Sequence, residues 1–184
     1  MNIPLLAGQL GVEVAAMRAV AQVEAAGNGR LPDGRPKVLF EAHVFHRLTD
    51  GKYAAKYPGL SSKKWDRSLY SNTPQGEWER LNQAKLLDER AANCSASWGT
   101  FQIMGFNFRT CGAATITDFA LGMLRSDDTE APLVIAFLKA DHGGRTLAAL
   151  KAKDWTTFAL LYNGPEYAKN AYDVKLAKAY QQFV

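Results

Sequence analysis

Apolar side chains at Leu6, Leu10, Val14, Met17, Val20 and Ala21 recur at three- and four-residue steps, which predicts a helix over residues 5–26. Gly27, Asn28 and Gly29 end it, because Gly or Asn just past a helix supplies the left-handed cap. Glu24 then falls in the last turn. A polar loop follows over residues 30–36, a short strand over 37–40 and a helix over 42–48. Residues 49–76, rich in Gly, Ser, Tyr and Lys, read as an irregular excursion with small β pieces.

Trp78, Leu81, Ala84 and Leu87 mark the buried side of a helix over 77–92. The glycine- and aromatic-rich stretch 95–108 is expected to open a new helix near Thr100, with Ser97 as its cap. Helices over 116–125, 130–140, 145–151, 155–161 and 166–183 complete the pattern, with Pro132 near a helix start, where its missing N–H costs little. A short β region between helices makes this an α+β chain, predominantly α-helical.

Composition adds bounds. At 184 residues, 47% hydrophobic and 11% aromatic, the chain fits one domain, 1–184, with a core that needs no metal or disulfide staple. Its net charge of +4 is mild, and no basic run exceeds Lys63-Lys64, so a nucleic-acid groove has little support. No stretch is apolar for long enough to span a membrane, and the first residues lack the basic-then-apolar pattern of a signal peptide. Two cysteines, Cys94 and Cys111, make no framework; pairing and reduction both stay open.

Three segments carry candidate chemistry. In the first, Glu24 follows Val23 at the end of an apolar helix. Apolar surroundings disfavour the ionised form of a carboxyl, and the negative end of a helix dipole pushes the same way, so the position suits a general acid. In the second, Gln102 lies between Phe101 and Ile103, after Ser97 and Gly99. An amide so placed must find partners, and sugar hydroxyls and acetamido groups are suitable ones. In the third, an apolar helix ends in Tyr162-Asn163-Gly164-Pro165, a turn that can bring a phenol and an amide into a cleft. Each has a plain alternative: a solvated Glu, a structural Gln, a helix cap.

The order of these segments resembles that of the lysozyme-like superfamily, above all goose-type lysozymes and lytic transglycosylases: a Glu at a helix end, a Gly-x-x-Gln-x-Met segment, then a Tyr-Asn-Ala-Gly-Pro segment, which here reads Tyr162-Asn163-Gly164-Pro165. More closely, the chain resembles the phage endolysin N-acetylmuramidase domain. The resemblance rests on Lys37-Val38-Leu39-Phe40-Glu41-Ala42-His43-Val44-Phe45, on Ser95-Ala96-Ser97-Trp98-Gly99-Thr100-Phe101-Gln102-Ile103-Met104-Gly105 and on Tyr162-Asn163-Gly164, and covers nearly all of the chain. It implies a lysozyme-like fold with a substrate cleft, Glu24 as the acid that protonates the glycosidic oxygen, and Gln102, Tyr162 and Asn163 in the cleft. Ala25 departs from the wider superfamily, which often has Ser there. The implied activity is cleavage of the β-1,4 bond between N-acetylmuramic acid and N-acetylglucosamine, with no cofactor and no metal. A lytic transglycosylase would use the same acid.

The partner carboxylate is less evident. Asp33, Glu41 and Asp50 are candidates; Glu41, with His43 two residues on, is the best second polar group, and Ser97 joins them as a substrate-binding candidate. Two rivals of other classes remain. One is a zinc peptidase built on His43, His46 and distant His142, although the His-Glu-x-x-His spacing is absent. The other is a noncatalytic wall-binding module using Trp65, Trp78, Trp98 and Trp155 as stacking faces. The preferred reading implies peptidoglycan glycan strands as the partner and a monomer. It also implies synthesis in a bacterial host cytoplasm without a signal peptide, followed by action on the wall in the periplasm. The domain could end a longer modular endolysin.

Overall fold

The computed structural model describes residues 1–26 and 28–184. The N-terminal apolar periodicity makes two helices rather than one: α1 (Ile3–Leu10) and α2 (Val14–Ala25), set at 119°. The break is Gly11, left-handed at φ 64°, whose N–H closes back on Ala7 and Gly8. Continuous helical spacing of the apolar residues concealed this cap. Among the described residues, no single helix is long and apolar enough to cross a membrane.

β1 (Val38–Phe40) follows and leads into α3 (Ala42–Leu48). Within residues 49–73 the structure has turns and a 3₁₀ turn at Arg67–Leu69, and none of the expected small β pieces among the described residues. The predicted helix over 77–92 is also two: α4 (Pro74–Lys85), started by Thr73 with Pro74 behind it, and α5 (Glu89–Cys94). Asp88 causes the split, its carboxylate accepting from the Ala91 N–H at 2.8 Å as an N-cap.

The expected helix near Thr100 is instead a hairpin: β2 (Ala96–Trp98) and β3 (Ile103–Met104), antiparallel, in a sheet ordered β1-β2-β3. Gly99 at φ +73° and Gln102 at φ +46° turn the chain back on itself, and Ser97 is a strand residue facing Met104 rather than a helix cap. α6 (Ile116–Arg125) lies where its periodicity predicts, behind a Thr115–Asp118 capping box. α7 (Asp127–Ala140) starts earlier than expected, on a Ser126 cap, so Pro132 sits in its second turn. There its missing N–H leaves the Asp128 carbonyl without the usual intrahelical donor. α8 (Arg145–Ala152) and α9 (Trp155–Asn163) follow. A 3₁₀ stretch, Pro165–Asn170, then precedes α10 (Tyr172–Gln181), dividing the last predicted helix.

One hydrophobic core joins residues from Leu6 to Leu176. α2 runs through it with Ala16, Met17 and Val20 buried, packed against α10. Trp98, fully buried, stands edge-on to Trp78 at 5.8 Å and to Phe119 at 6.4 Å, so the sheet is pinned between α4 and α6. α4 is also tied to β1 through Glu77, which accepts from the Phe40 N–H at 2.9 Å and pairs with Arg80 at 2.9 Å.

Candidate active site

Glu24 lies in the last turn of α2, with buried Ala21 and Ala25 on either side and a half-buried carboxyl. The turn is held at its open end: Lys37 Nζ donates to the Ala25 carbonyl at 2.7 Å, satisfying one of the orphan carbonyls of the helix. The following loop is fixed against the hairpin. Lys37 N–H donates to Gly29 O at 2.7 Å, and a Cβ on Gly29 would lie 2.1 Å from Thr100 Oγ1. Only a glycine allows that approach.

Burial pushes the Glu24 carboxyl up to about 7 from an ordinary 4.5, against a hydrogen bond from Asn163 that pulls it down. Asn163 Nδ2 donates to Glu24 Oε1 at 3.1 Å. Oε1 is thus engaged, which leaves Oε2 to carry the acidic proton. Asn163 Oδ1 is buried without a hydrogen-bond partner among the described residues.

Asn163 is the last residue of α9, and its position follows from the residue before it. The Tyr162 ring stacks on Phe158 at 5.0 Å and stands edge-on to Phe137 at 5.8 Å. Its hydroxyl donates to the Phe101 carbonyl at 2.5 Å. The Tyr162 phenol is therefore held by the hairpin turn.

Gln102 and Ser97 bond to each other within the same hairpin. Ser97 Oγ donates to Gln102 Oε1 at 2.8 Å, and Gln102 Nε2 donates to Gly99 O at 2.8 Å. The amide that needed partners finds them inside its own hairpin.

Glu41 and His43 come together at the start of α3. His43 Nδ1 lies 3.2 Å from Glu41 Oε2, and Tyr70 Oη donates to the same oxygen at 2.6 Å. Burial holds the Glu41 carboxyl above its ordinary range, while the Tyr70 and His43 contacts pull it back. A crevice there is lined by Glu41, His43, Asp66, Tyr70 and Arg80. At the first turn of α10, burial first and then the Glu24 and Glu41 charges hold the Tyr172 phenol above the usual range.

The other carboxylate candidates are engaged elsewhere or exposed: Asp33 binds Arg35 at 2.6 Å and Asp50 sits on an exposed left-handed turn at φ 50°. Tyr70 and Tyr172 were not anticipated. Nothing in their local pattern marks them; the fold brings them in from distant segments.

The histidines of the zinc rival do not converge. His46 Nδ1 lies 3.3 Å from Ser61 Oγ, and His142 contacts the Leu161 carbonyl. Among the described residues, no group of three or more metal-binding side chains forms. Cys94 and Cys111 are both free and buried, and burial pushes the Cys111 thiol up to about 12.

Glu24 at the end of α2, its carboxyl pushed up by burial, thus meets the Asn163 amide at the end of α9. Residues 13–184 match the model of the Muramidase family, described as N-acetylmuramidase, and the chain belongs to that family. Its activity class is therefore peptidoglycan-degrading muramidase. The chain is also similar to the crystal structure of the Burkholderia AP3 phage endolysin. The two are 40% identical, with a TM-score of 0.82 over 98% of this chain and 68% of the other. No curated protein gives a significant match.

Proposed function

We propose that the protein hydrolyses the β-1,4 bond between N-acetylmuramic acid and N-acetylglucosamine, with Glu24 as the general acid. The observation that carries this is the Glu24 carboxyl, held protonated near neutral pH by burial and fixed through Oε1 by Asn163. A glycosidic oxygen is a poor leaving group unless it is protonated as its bond to the anomeric carbon breaks. Glu24 Oε2 delivers that proton. The carbon left behind develops oxocarbenium character and takes water.

Among the described residues, no aspartate is a hydrogen-bond partner of Glu24. Two groups then serve the cation side of the reaction: the acetamido group of the substrate, and Glu41, whose carboxyl is held by His43 and Tyr70. Glu41, His43 and Asn163 are the groups we assign to substrate. Ser97, Gln102 and Tyr162 act through the framework they build. Glu24→Gln keeps the Asn163 contact and removes the proton. It should lower release of reducing ends from purified cell walls by at least about a thousandfold; a rate within tenfold of the unsubstituted enzyme would refute the assignment.

Lytic transglycosylation uses the same acid, with the 6-hydroxyl of the sugar in place of water. Mass spectrometry of the products separates the two, because the anhydro product is lighter by one water. We favour hydrolysis because the family matched is that of N-acetylmuramidases. A wall-binding module without catalysis would leave reducing ends unchanged, and a zinc peptidase would lose activity to EDTA.

The similarity to a phage endolysin supports a role in host lysis, with the enzyme made in the bacterial cytoplasm and acting on the wall in the periplasm. The continuous core supports a single domain over 1–184, and a cleft that takes a polymer suits a monomer.

A further inference from the structure

Of the four tryptophans, Trp78 and Trp98 are buried and Trp155 is half-buried against Tyr180, but Trp65 is 59% exposed. An exposed indole costs solvation, and this one is nevertheless held in place. Its Nε1–H donates to Tyr70 Oη at 2.7 Å, Tyr70 donates to Glu41 Oε2 at 2.6 Å, and His43 meets the same oxygen. The rings of Trp65 and Tyr70 meet edge to face, with centroids 6.3 Å apart and planes at 61°. The indole is thus anchored through its polar edge and through one side of the pair, and a broad apolar surface is left to solvent. Asp66 and its neighbours Lys63 and Lys64 are exposed around it.

We propose that Trp65 is the stacking platform of a sugar subsite, oriented by Tyr70 and joined through it to Glu41. The occupant is one residue of the same glycan strand that Glu24 cleaves, so the inference rests on the glycosidase reading. Pyranose rings suit such a surface. Their axial C–H faces pack on an indole while their equatorial hydroxyls reach polar groups at its rim, here Asp66 and the Glu41–His43 pair. Preorganisation matters, since a ring already fixed by hydrogen bonds loses little freedom when a sugar lands on it. The chain Trp65–Tyr70–Glu41 also puts platform and carboxylate in one rigid unit, so the sugar on the indole sets the register of the strand along the cleft.

The test uses the full chain. Trp65→Ala, Trp65→Phe and Tyr70→Phe are assayed on soluble glycan chains of alternating N-acetylglucosamine and N-acetylmuramic acid. Binding of the same chains is measured by calorimetry in a Glu24→Gln background. The proposal predicts that Trp65→Ala raises KM and weakens binding about tenfold, equal to ~1.4 kcal/mol, while kcat changes less than threefold. Trp65→Phe keeps most of the affinity, and Tyr70→Phe loses part of it. Because Trp65 is exposed, thermal unfolding of the alanine variant should match that of the parent. Unchanged KM and binding in Trp65→Ala, or a loss confined to kcat, overturns the platform and leaves the role of Glu24 intact. Glycan chains left uncut by the parent enzyme, with no reducing ends released, would instead remove the glycosidase reading itself.

Discussion

Tyr162 Oη donates to the Phe101 carbonyl at 2.5 Å, and this bond fastens the helix ending in Asn163 onto the β2–β3 hairpin. Removing the hydroxyl should therefore act on stability before chemistry. Tyr162→Phe leaves the stacked ring in place and strips one buried carbonyl of its donor, a loss of about 1–3 kcal/mol. Denaturant unfolding should show it, with kcat reduced less than tenfold. A kcat lost entirely in a folded variant would return the phenol to direct contact with substrate.

Gly99 is a second structural hinge of the site. It sits at φ +73°, and a Cβ there would lie 2.4 Å from Glu130 Oε1, the oxygen that accepts from the Thr100 N–H at 2.7 Å. Backbone strain and the clash with a fully buried carboxylate reinforce each other. Gly99→Ala is expected to destabilise the protein by about 2–4 kcal/mol, visible as a fall in Tm. A variant of unchanged Tm would show that the turn has room the structure does not display.

The raised pKa of Glu24 has a stability consequence of its own. Folded Glu24 titrates near 7 and an unperturbed Glu at 4.5, so the folded state binds the extra proton between these values. The stability of the protonated form is fully present below about 4.5, declines as pH rises and is gone above about 7. Glu24→Gln cannot ionise. It should be more stable than the parent at pH 8 by on the order of 1–3 kcal/mol, with little difference at pH 4. Paired unfolding curves at the two pH values would check both the sign and the window.

Cys94 and Cys111 are free, buried thiols whose ionisation burial disfavours. A thiol-specific reagent should modify neither in the folded protein and both after unfolding, and reductant should leave Tm unchanged. Rapid labelling of the native enzyme would contradict their burial.

The position proposed for the acid was legible in the sequence because its signal is local: an apolar helix with a glutamate in its last turn. The predominantly helical class and the range of α6 followed from the pattern of apolar residues. Breaks inside periodic stretches were hidden. Gly11 ends one helix and Asp88 starts another without interrupting the spacing of apolar residues, so two pairs of helices read as single ones. The hairpin at 96–104 was mistaken for a helix start because a Ser before a Gly suits either structure, and only pairing with β1 decides.

Site residues divide along the same line. Glu41 and His43, two apart in the chain, were found as a pair. Tyr70 and Trp65 join Glu41 only through tertiary folding. The internal hydrogen bonds of Gln102, Ser97 and Tyr162 were not legible, because a sequence does not show whether a polar group is already satisfied within the protein.

The most direct measurement of the central claim is the pH dependence of kcat/KM on soluble glycan chains. If Glu24 donates the proton, activity must fall as it ionises, with a midpoint near 7 on the alkaline side. Asn163→Ala, which removes the contact that favours the ionised form, should move that midpoint upward while lowering the maximum. A profile that declines around pH 4.5 and stays flat beyond, in both enzymes, would mean that the acid at position 24 is ionised at neutral pH and is not the proton donor.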